Sequence, residues 1–237
     1  MKILIVGASG SIGGEALLHC LSHPSISKVV AFVRRDLPAN VSDHPKLESV
    51  LIKDFSAWPK DVLDAHADAV GMIWAMGSYG GNREADLDYP MTFLESMAPV
   101  LESRPSRPRF RCVHLSGKWV RQNQEEKLRW GEVPRKMKGL LESKALAFAE
   151  THADVWETFI VKPGGVVTRR MMAMKMLAPG IIAALFGENL CVMNEELGAF
   201  MTYLAIDGKG EEHLIENARI VRRGKELLKQ LNEGSPS

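Results

Sequence analysis

Residues 2–14 read KILIVGASGSIGG. An apolar extended run, Lys2 to Val6, passes directly into a turn with glycines at 7, 10, 13 and 14, and a helical pattern starts near Ser11. Strand, glycine turn and helix in that order build an anion site. Gly7 takes the tight turn, Gly10 lets backbone N–H groups approach a pyrophosphate, and Gly13 lets helix and strand pack closely. The helix N-terminus adds partial positive charge. Gly7, Ser9, Gly10, Ser11, Ile12 and Gly13 are therefore expected to hold a dinucleotide.

The pattern that begins here continues outward. Short β-branched runs at Lys2 to Val6, Lys28 to Val33, Leu47 to Ile52, Ala69 to Ala75, Phe110 to Leu115 and Trp156 to Val161 alternate with helical stretches. The helices are expected at about Ser11 to Ser22, Ala57 to His66, Asp86 to Ser103 and Val133 to His152. Six strands joined by helical crossovers predict an α/β fold with a doubly wound parallel sheet in three layers, the Rossmann arrangement. All strand C-termini then share one edge, where Gly7, Arg34, Asp54, Ala75 and Ser116 fall. Beyond Pro163-Gly164-Gly165 come a Met-rich segment, an apolar run at Leu190 to Val192, and helices from about Asn194 and Asn217. No linker or internal repeat divides the chain, so residues 1–237 read as one domain with a frayed tail from Asn232.

The second strand ends Phe32-Val33-Arg34-Arg35, where an acid would hold the ribose hydroxyls of NAD. Two guanidiniums suit a 2′-phosphate instead, because each offers forked donors and a permanent charge, so NADP(H) is the expected cofactor. Solvated loop charges, with Asp36 competing for them, are the alternative reading. Asp54 and Phe55 after the third strand are placed to cap an adenine with a carboxylate and a ring, although a plain surface acid reads nearly as well.

Composition excludes other classes. The 237 residues are 46% hydrophobic and 25% charged, an ordinary globular make-up. Thirty Lys and Arg against 29 Asp and Glu leave a formal charge of +1, too little to hold nucleic acid through a general field. Cys20, Cys112 and Cys191 are odd in number and far apart, which argues against a disulfide framework or structural zinc. Met1-Lys2 leads straight into the first strand with no room for a secretory leader, and a cytoplasmic protein is expected. Met171 to Phe186 is broken by Lys175 and Pro179-Gly180 and is too short to span a bilayer.

Taken together, these motifs resemble the short-chain dehydrogenase/reductases, in particular the atypical branch with NmrA-like and Tat-interacting-protein-like members. GASGSIGG is similar to that family's N-terminal glycine motif, FVRR to its NADP-type second strand, and Ala75-Met76-Gly77 to its Asn-Ala-Gly-like turn. Val113-His114-Leu115-Ser116 resembles the fifth strand with the active-site serine, and Lys162-Pro163-Gly164 the turn after the sixth. The resemblance covers about the first 165 residues. It implies cofactor contacts at Ala75, Met76, Gly77, Lys138, Pro163, Gly164 and Val166, with residues 165–237 contributing the substrate-side cover.

The catalytic motif departs from that pattern. The family's Tyr-x-x-x-Lys-Gly-x-x-Glu aligns with Pro134 to Glu142, which keeps Lys138 and replaces the tyrosine by Pro134. A second register ending at Lys144 also lacks tyrosine. In the family's reductions that tyrosine donates a proton as hydride arrives, and proline has no donor. Ser116 and Lys138 are then the expected polar centre. Of the three tyrosines, Tyr79 in the loop Met76 to Gly81 is the candidate replacement donor, whereas Tyr89 and Tyr203 read as packing residues. His114 shares the face of Ser116 one layer deeper and reads as a buried histidine. Trp119 and Trp130 are wall or packing residues, and Lys118 and Arg121 lie in the same stretch.

Arg169, Arg170 and the Met-rich run to Phe186 suit a lipophilic substrate, a homodimer contact or plain helix packing. The resulting expectation is an NADP(H)-dependent reductase of a small apolar molecule. The competing expectations are a cofactor-retaining isomerase or cyclase, and a non-catalytic NADP(H) sensor.

Overall fold

A computed structural model describes residues 1–104, 108–168, 171 and 187–233. Seven parallel strands form the main sheet: β1 (Lys2–Val6), β2 (Lys28–Val33), β3 (Leu47–Leu51), β4 (Gly71–Trp74), β5 (Phe110–Leu115), β6 (Trp156–Lys162) and β9 (Leu214–Glu216). Their order is β3-β2-β1-β4-β5-β6-β9. The register is continuous, with Ile3 opposite both Val29 and Gly71, and Cys112 opposite both Met72 and Thr158. A separate parallel pair joins β7 (Gly165–Val167) to β8 (Cys191–Met193). The chain leaves β1 toward β2 on one side and returns to β4 on the other, so β1 and β4 flank the switch point where open α/β sheets bind ligands.

Helices cover both faces. They are α1 (Ser11–Ser22), α2 (Ala39–Ser42), α3 (Lys60–His66), α4 (Tyr89–Glu102), α5 (Glu132–Thr151), α6 (Asn194–Ile206) and α7 (Asn217–Glu233). Strand alternation sorts the core. Ile3, Ile5, Ala31, Val113 and Phe159 face a layer made by α1, α6 and α7. Leu4, Val6, Val30, Met72 and Cys112 face α3, α4 and α5. The second core is rich in rings: Phe93 of α4 lies 5.0 Å from Trp58, 5.9 Å from Trp74 and 6.3 Å from Trp156, centroid to centroid. α6 is buried nearly all round between α1 and α7 and fills the helical layer over the sheet.

Two expected boundaries shift for local reasons, and two short strands are new. The helix expected from Ala57 begins at Lys60, because Trp58 is drawn into the aromatic core and stands before Pro59, a position that disfavours helical backbone. The helix expected from Asp86 is a π-helical turn, Glu84–Asp88, followed by α4. Pro90 cannot donate to the Asp86 carbonyl, which leaves room for the wider turn. The seventh strand and β7 are three residues each, too short to carry a pattern of their own. The helices at Asn194 and Asn217 start where expected.

Phe93 is fully buried at the centre of the ring cluster. Phe93→Ala is expected to lower the unfolding free energy by about 3–5 kcal/mol, measured by urea denaturation. A loss under about 1 kcal/mol would mean that this cluster does not organise the α3–α4–α5 side.

Candidate functional site

The switch point opens into a cleft of ≈520 Å³. Its floor is the turn after β1. Gly7 has φ +89°, the left-handed region, and its carbonyl accepts from Gly10 N–H at 2.9 Å. A Cβ on Gly13 would overlap that same carbonyl oxygen, so only glycine lets α1 sit this close to the strand end. Gly10 caps α1 in extended conformation and no side chain caps the helix, which leaves its first-turn amides for an external acceptor. Gly7, Ser9, Gly10, Arg34, Arg35, Phe55, Ala75, Met76 and Gly77 all line the cleft. Ser11, Ile12 and Gly13 form the first turn of the helix behind it.

Arg34 and Arg35 stand exposed at the rim, and neither forms an ion pair among the described residues. Phe55 is buried, its ring edge-on to Trp58 and Trp74, so it is wall and core at once. Asp54 lies outside the lining. Its carboxylate accepts from Ser56 N–H at 2.8 Å, a bond that holds it below the usual carboxylate range. Pro163, Gly164 and Val166 also lie outside the lining. The Pro163 carbonyl anchors Lys118 N–H, Gly164 N–H donates to Asn217 Oδ1 at 2.6 Å, and Val166 pairs with Val192.

The polar centre is built by α5 against the ends of β4, β5 and β6. Lys138 reaches Gly77 at the cleft wall: a Cβ on Gly77 would meet its Nζ at 2.5 Å. The ammonium pairs with Asp86 Oδ1 at 2.8 Å. Asp86 also accepts from Ser78 N–H at 2.8 Å and from Ser78 Oγ at 2.6 Å. Burial alone would push the Asp86 carboxyl up, but the bonds from Lys138 and Ser78 outweigh it and hold the group below the usual range. One helical turn beyond Lys138 on the same face, Glu142 accepts from Ser116 Oγ at 2.5 Å. Its other oxygen accepts from Gln122 Nε2 at 3.0 Å and from Lys162 Nζ at 3.1 Å. Ser116 is half-buried, and its N–H is held by the Val161 carbonyl of β6.

Asp86, Ser78 and Gln122 were not singled out from sequence, and Glu142 and Lys162 entered only as parts of family-like motifs with no role of their own. Glu142 had a further signal, since four residues after Lys138 place it on the same helix face; Asp86 had none beyond standing near the ligand edge. Tyr79 is brought neither to Ser116 nor to Lys138; its side chain is fully exposed. The next loop residues cover the position where a tyrosine would stand, and a Cβ on Gly81 would lie 3.1 Å from Pro134 Cα. Tyr89 packs beside Phe55 and donates to Glu84, and Tyr203 donates to the Lys209 carbonyl. Trp119 and Trp130 stack edge-on at 6.4 Å on the outer surface of the β5–α5 connection, with Arg135 over Trp130. The expected roles of Arg169, Arg170 and 172–186 lie outside the described residues. No described helix is long and apolar enough to cross a membrane.

Sheet order and cleft define a Rossmann-type α/β protein with an open cleft at its switch point. Solved structures share that architecture. A short-chain dehydrogenase/reductase family oxidoreductase from Burkholderia thailandensis superposes with a TM-score of 0.64 at 18% identity, covering 99% of this chain and 98% of that one. A putative betaketoacyl-ACP reductase gives 0.66 at 16% identity, covering 92% and 96%. The dTDP-glucose 4,6-dehydratase of Bacillus anthracis, solved in complex with NAD, gives 0.64 at 16%, covering 98% and 81%. The fold is thus similar to that of NAD(P)-dependent short-chain dehydrogenase/reductases. No family model matches the chain.

Curated relatives include the protein named FMP52, mitochondrial, of Eremothecium gossypii, 26% identical over 98% of this chain and 99% of its own length. Its Saccharomyces cerevisiae namesake is 23% identical over 90% of each. Their mitochondrial designation overturns the cytoplasmic expectation. That expectation rested on the cysteine pattern and on the residues that open the sequence, which bear on secretion and not on mitochondrial delivery.

Beneath Ser116 on β5, His114 is buried with Nε2 3.3 Å from Cys112 Sγ, and its Nδ1 has no hydrogen-bond partner among the described residues. Burial lowers its pKa from 6.5 to about 4. Between those values the unfolded chain binds a proton that the fold refuses, so stability falls as pH drops through this window. His114→Leu is expected to remove up to about 3 kcal/mol of the stability lost between pH 6.5 and 4, measured by urea melts at each pH. An identical pH dependence in both proteins would contradict the assignment.

Proposed function

We propose that this protein is an NADP(H)-dependent reductase of the atypical short-chain dehydrogenase/reductase type, with NmrA-like affinity, that acts on a small lipophilic molecule. One observation carries the reading: a helix N-terminus without a side-chain cap and two guanidiniums with no ion pair among the described residues border the same cleft, and the Lys138 ammonium stands against Gly77 of its wall. A dinucleotide fits that set. The amides beginning α1 and the turn at Gly7 to Gly10 would hold its pyrophosphate, Arg34 and Arg35 its 2′-phosphate, and Lys138 its nicotinamide-side ribose. Bound there, the cofactor supplies hydride. Ser116 orients the substrate oxygen by a hydrogen bond. Asp86 fixes the Lys138 ammonium beside Gly77. The apolar substrate follows from the methionines and aliphatic residues of 171–186.

A second reading, cofactor-retaining isomerisation or cyclisation, draws support from Pro134, which stands where a proton donor would and packs beneath Gly81. Purified protein incubated with NADPH and a panel of lipophilic ketones, enones and imines separates the two. Loss of nicotinamide absorbance supports reduction, and substrate conversion without it supports the second reading.

The 2′-phosphate assignment has its own test. Arg34→Ala with Arg35→Ala is expected to weaken NADPH binding by about 10–100-fold while leaving NADH binding within about threefold, because charge-assisted hydrogen bonds contribute about 1.5–3 kcal/mol each at most sites. An unchanged NADPH-to-NADH ratio in calorimetric titration would contradict it.

A further inference from the structure

We infer that Glu142, acting through Ser116, holds the proton exchanged at the substrate oxygen. The inference rests on the redox reading of the site and deepens it. Glu142 is 1% exposed and Lys162 5% exposed, an ion pair almost wholly removed from water. Such a pair stabilises a fold little, since desolvation offsets most of the attraction. Its connections instead lead outward. Glu142 Oε1 takes a short, charge-assisted hydrogen bond from Ser116 Oγ at 2.5 Å, and Ser116 is half-buried at the ligand-edge tip of β5. Because its own proton points at Glu142, the Ser116 oxygen has lone pairs left to accept from a substrate hydroxyl.

The step balances in both directions. In oxidation, the substrate O–H bond breaks and its proton passes to Ser116 Oγ, while the Ser116 proton passes to Glu142 Oε1. The C–H bond breaks with hydride leaving to the oxidised nicotinamide dinucleotide, and C–O becomes C=O. Reduction runs the same transfers in reverse, from a protonated Glu142 and the reduced dinucleotide. After product leaves, the same hydroxyl exchanges the proton with water. Lys162 on β6 sets its ammonium 3.1 Å from the other Glu142 oxygen, the one that Ser116 does not touch. The other titratable groups near this face are Lys138 one turn earlier on α5, its partner Asp86 on the π turn, and His114 beneath Ser116 on β5. Lys138 has its charge engaged by Asp86 and His114 is held neutral by burial, so neither competes for this proton.

The test uses the full chain with NADPH and the best ketone from the panel, and Glu142→Gln, Ser116→Ala and the double variant. Each single variant is expected to lower kcat about 100-fold with KM within about threefold, and the double to fall no further, because the two residues form one path. Wild-type reduction should slow as pH rises, and Glu142→Gln should lose that dependence. A purely structural role would instead lower the melting temperature and leave kcat and the pH profile unchanged; that result overturns the inference.

A second readout needs no turnover: with 13C-labelled glutamate, the Glu142 carboxyl, assigned by its loss in Glu142→Gln, should titrate at higher pH in both Ser116→Ala and Lys162→Met. No movement in Ser116→Ala means no shared proton and also overturns the inference. Where Glu142→Gln does not fold, Glu142→Asp serves for assignment, and Ser116→Ala, at a half-buried position, carries the kinetic arm. If the wild type oxidises NADPH with no compound, the redox reading fails, and the carboxyl titration alone decides whether Glu142 shares the Ser116 proton.

Discussion

The close seating of α1 on the end of β1 is the contact from which the rest of the site follows. Gly13 lies against the Gly7 carbonyl with no space for a side chain, and Gly7 takes a left-handed conformation that turns the chain into the helix. That seating puts the uncapped helix N-terminus at the switch point between β1 and β4. It also sets the level at which Arg34, Ala75 and Ser116 emerge, because the register ties β2, β4 and β5 to β1 residue by residue. A one-residue slip in any of these pairings would turn the site residues into the sheet.

Charge is distributed locally. The chain carries a formal charge of +1, yet two lysine–carboxylate pairs converge on one face of α5, Lys138 with Asp86 and Lys162 with Glu142. Each carboxylate is buried and each accepts from at least two further donors, and on Asp86 the hydrogen bonds outweigh the upward pull of burial. At the other end of the cleft the two arginines are exposed and unpaired among the described residues. The apolar first core and the ring-rich second core pack the two faces of the sheet between these poles.

The fold was largely readable because its signals are local and repeated. Six β-branched runs at crossover spacing located β1 to β6, and the glycines of 7–14 located the switch point before any pairing was known. Elements set by tertiary contact escaped: β9 exists only as three residues paired to Ile160–Lys162, and the π turn depends on Pro90 two residues past its end. The cleft side of the site was legible as motif, from Gly7 to Gly77. Its polar network was not. Asp86, Glu142 and Lys162 come from three different elements, and although Glu142 shares a helix face with Lys138, nothing local ties Asp86 to Lys138 or Glu142 to Ser116 and Lys162. Tyr79 attracted notice as a tyrosine on the ligand edge, and only the folded loop reveals that its ring faces solvent.

In the proposed function, the turn at Gly7 to Gly10 and the start of α1 bind a dinucleotide through backbone groups. Gly10 has extended backbone, and a Cβ there would meet protein no closer than 3.3 Å, so a side chain can be added at the ligand side without unfolding the turn. Calorimetric titration of wild type and Gly10→Val with NADPH is the direct measurement. One site per chain in the wild type, and none in an equally stable Gly10→Val, is the predicted result. Equal binding by both proteins, or none by the wild type, would contradict the account.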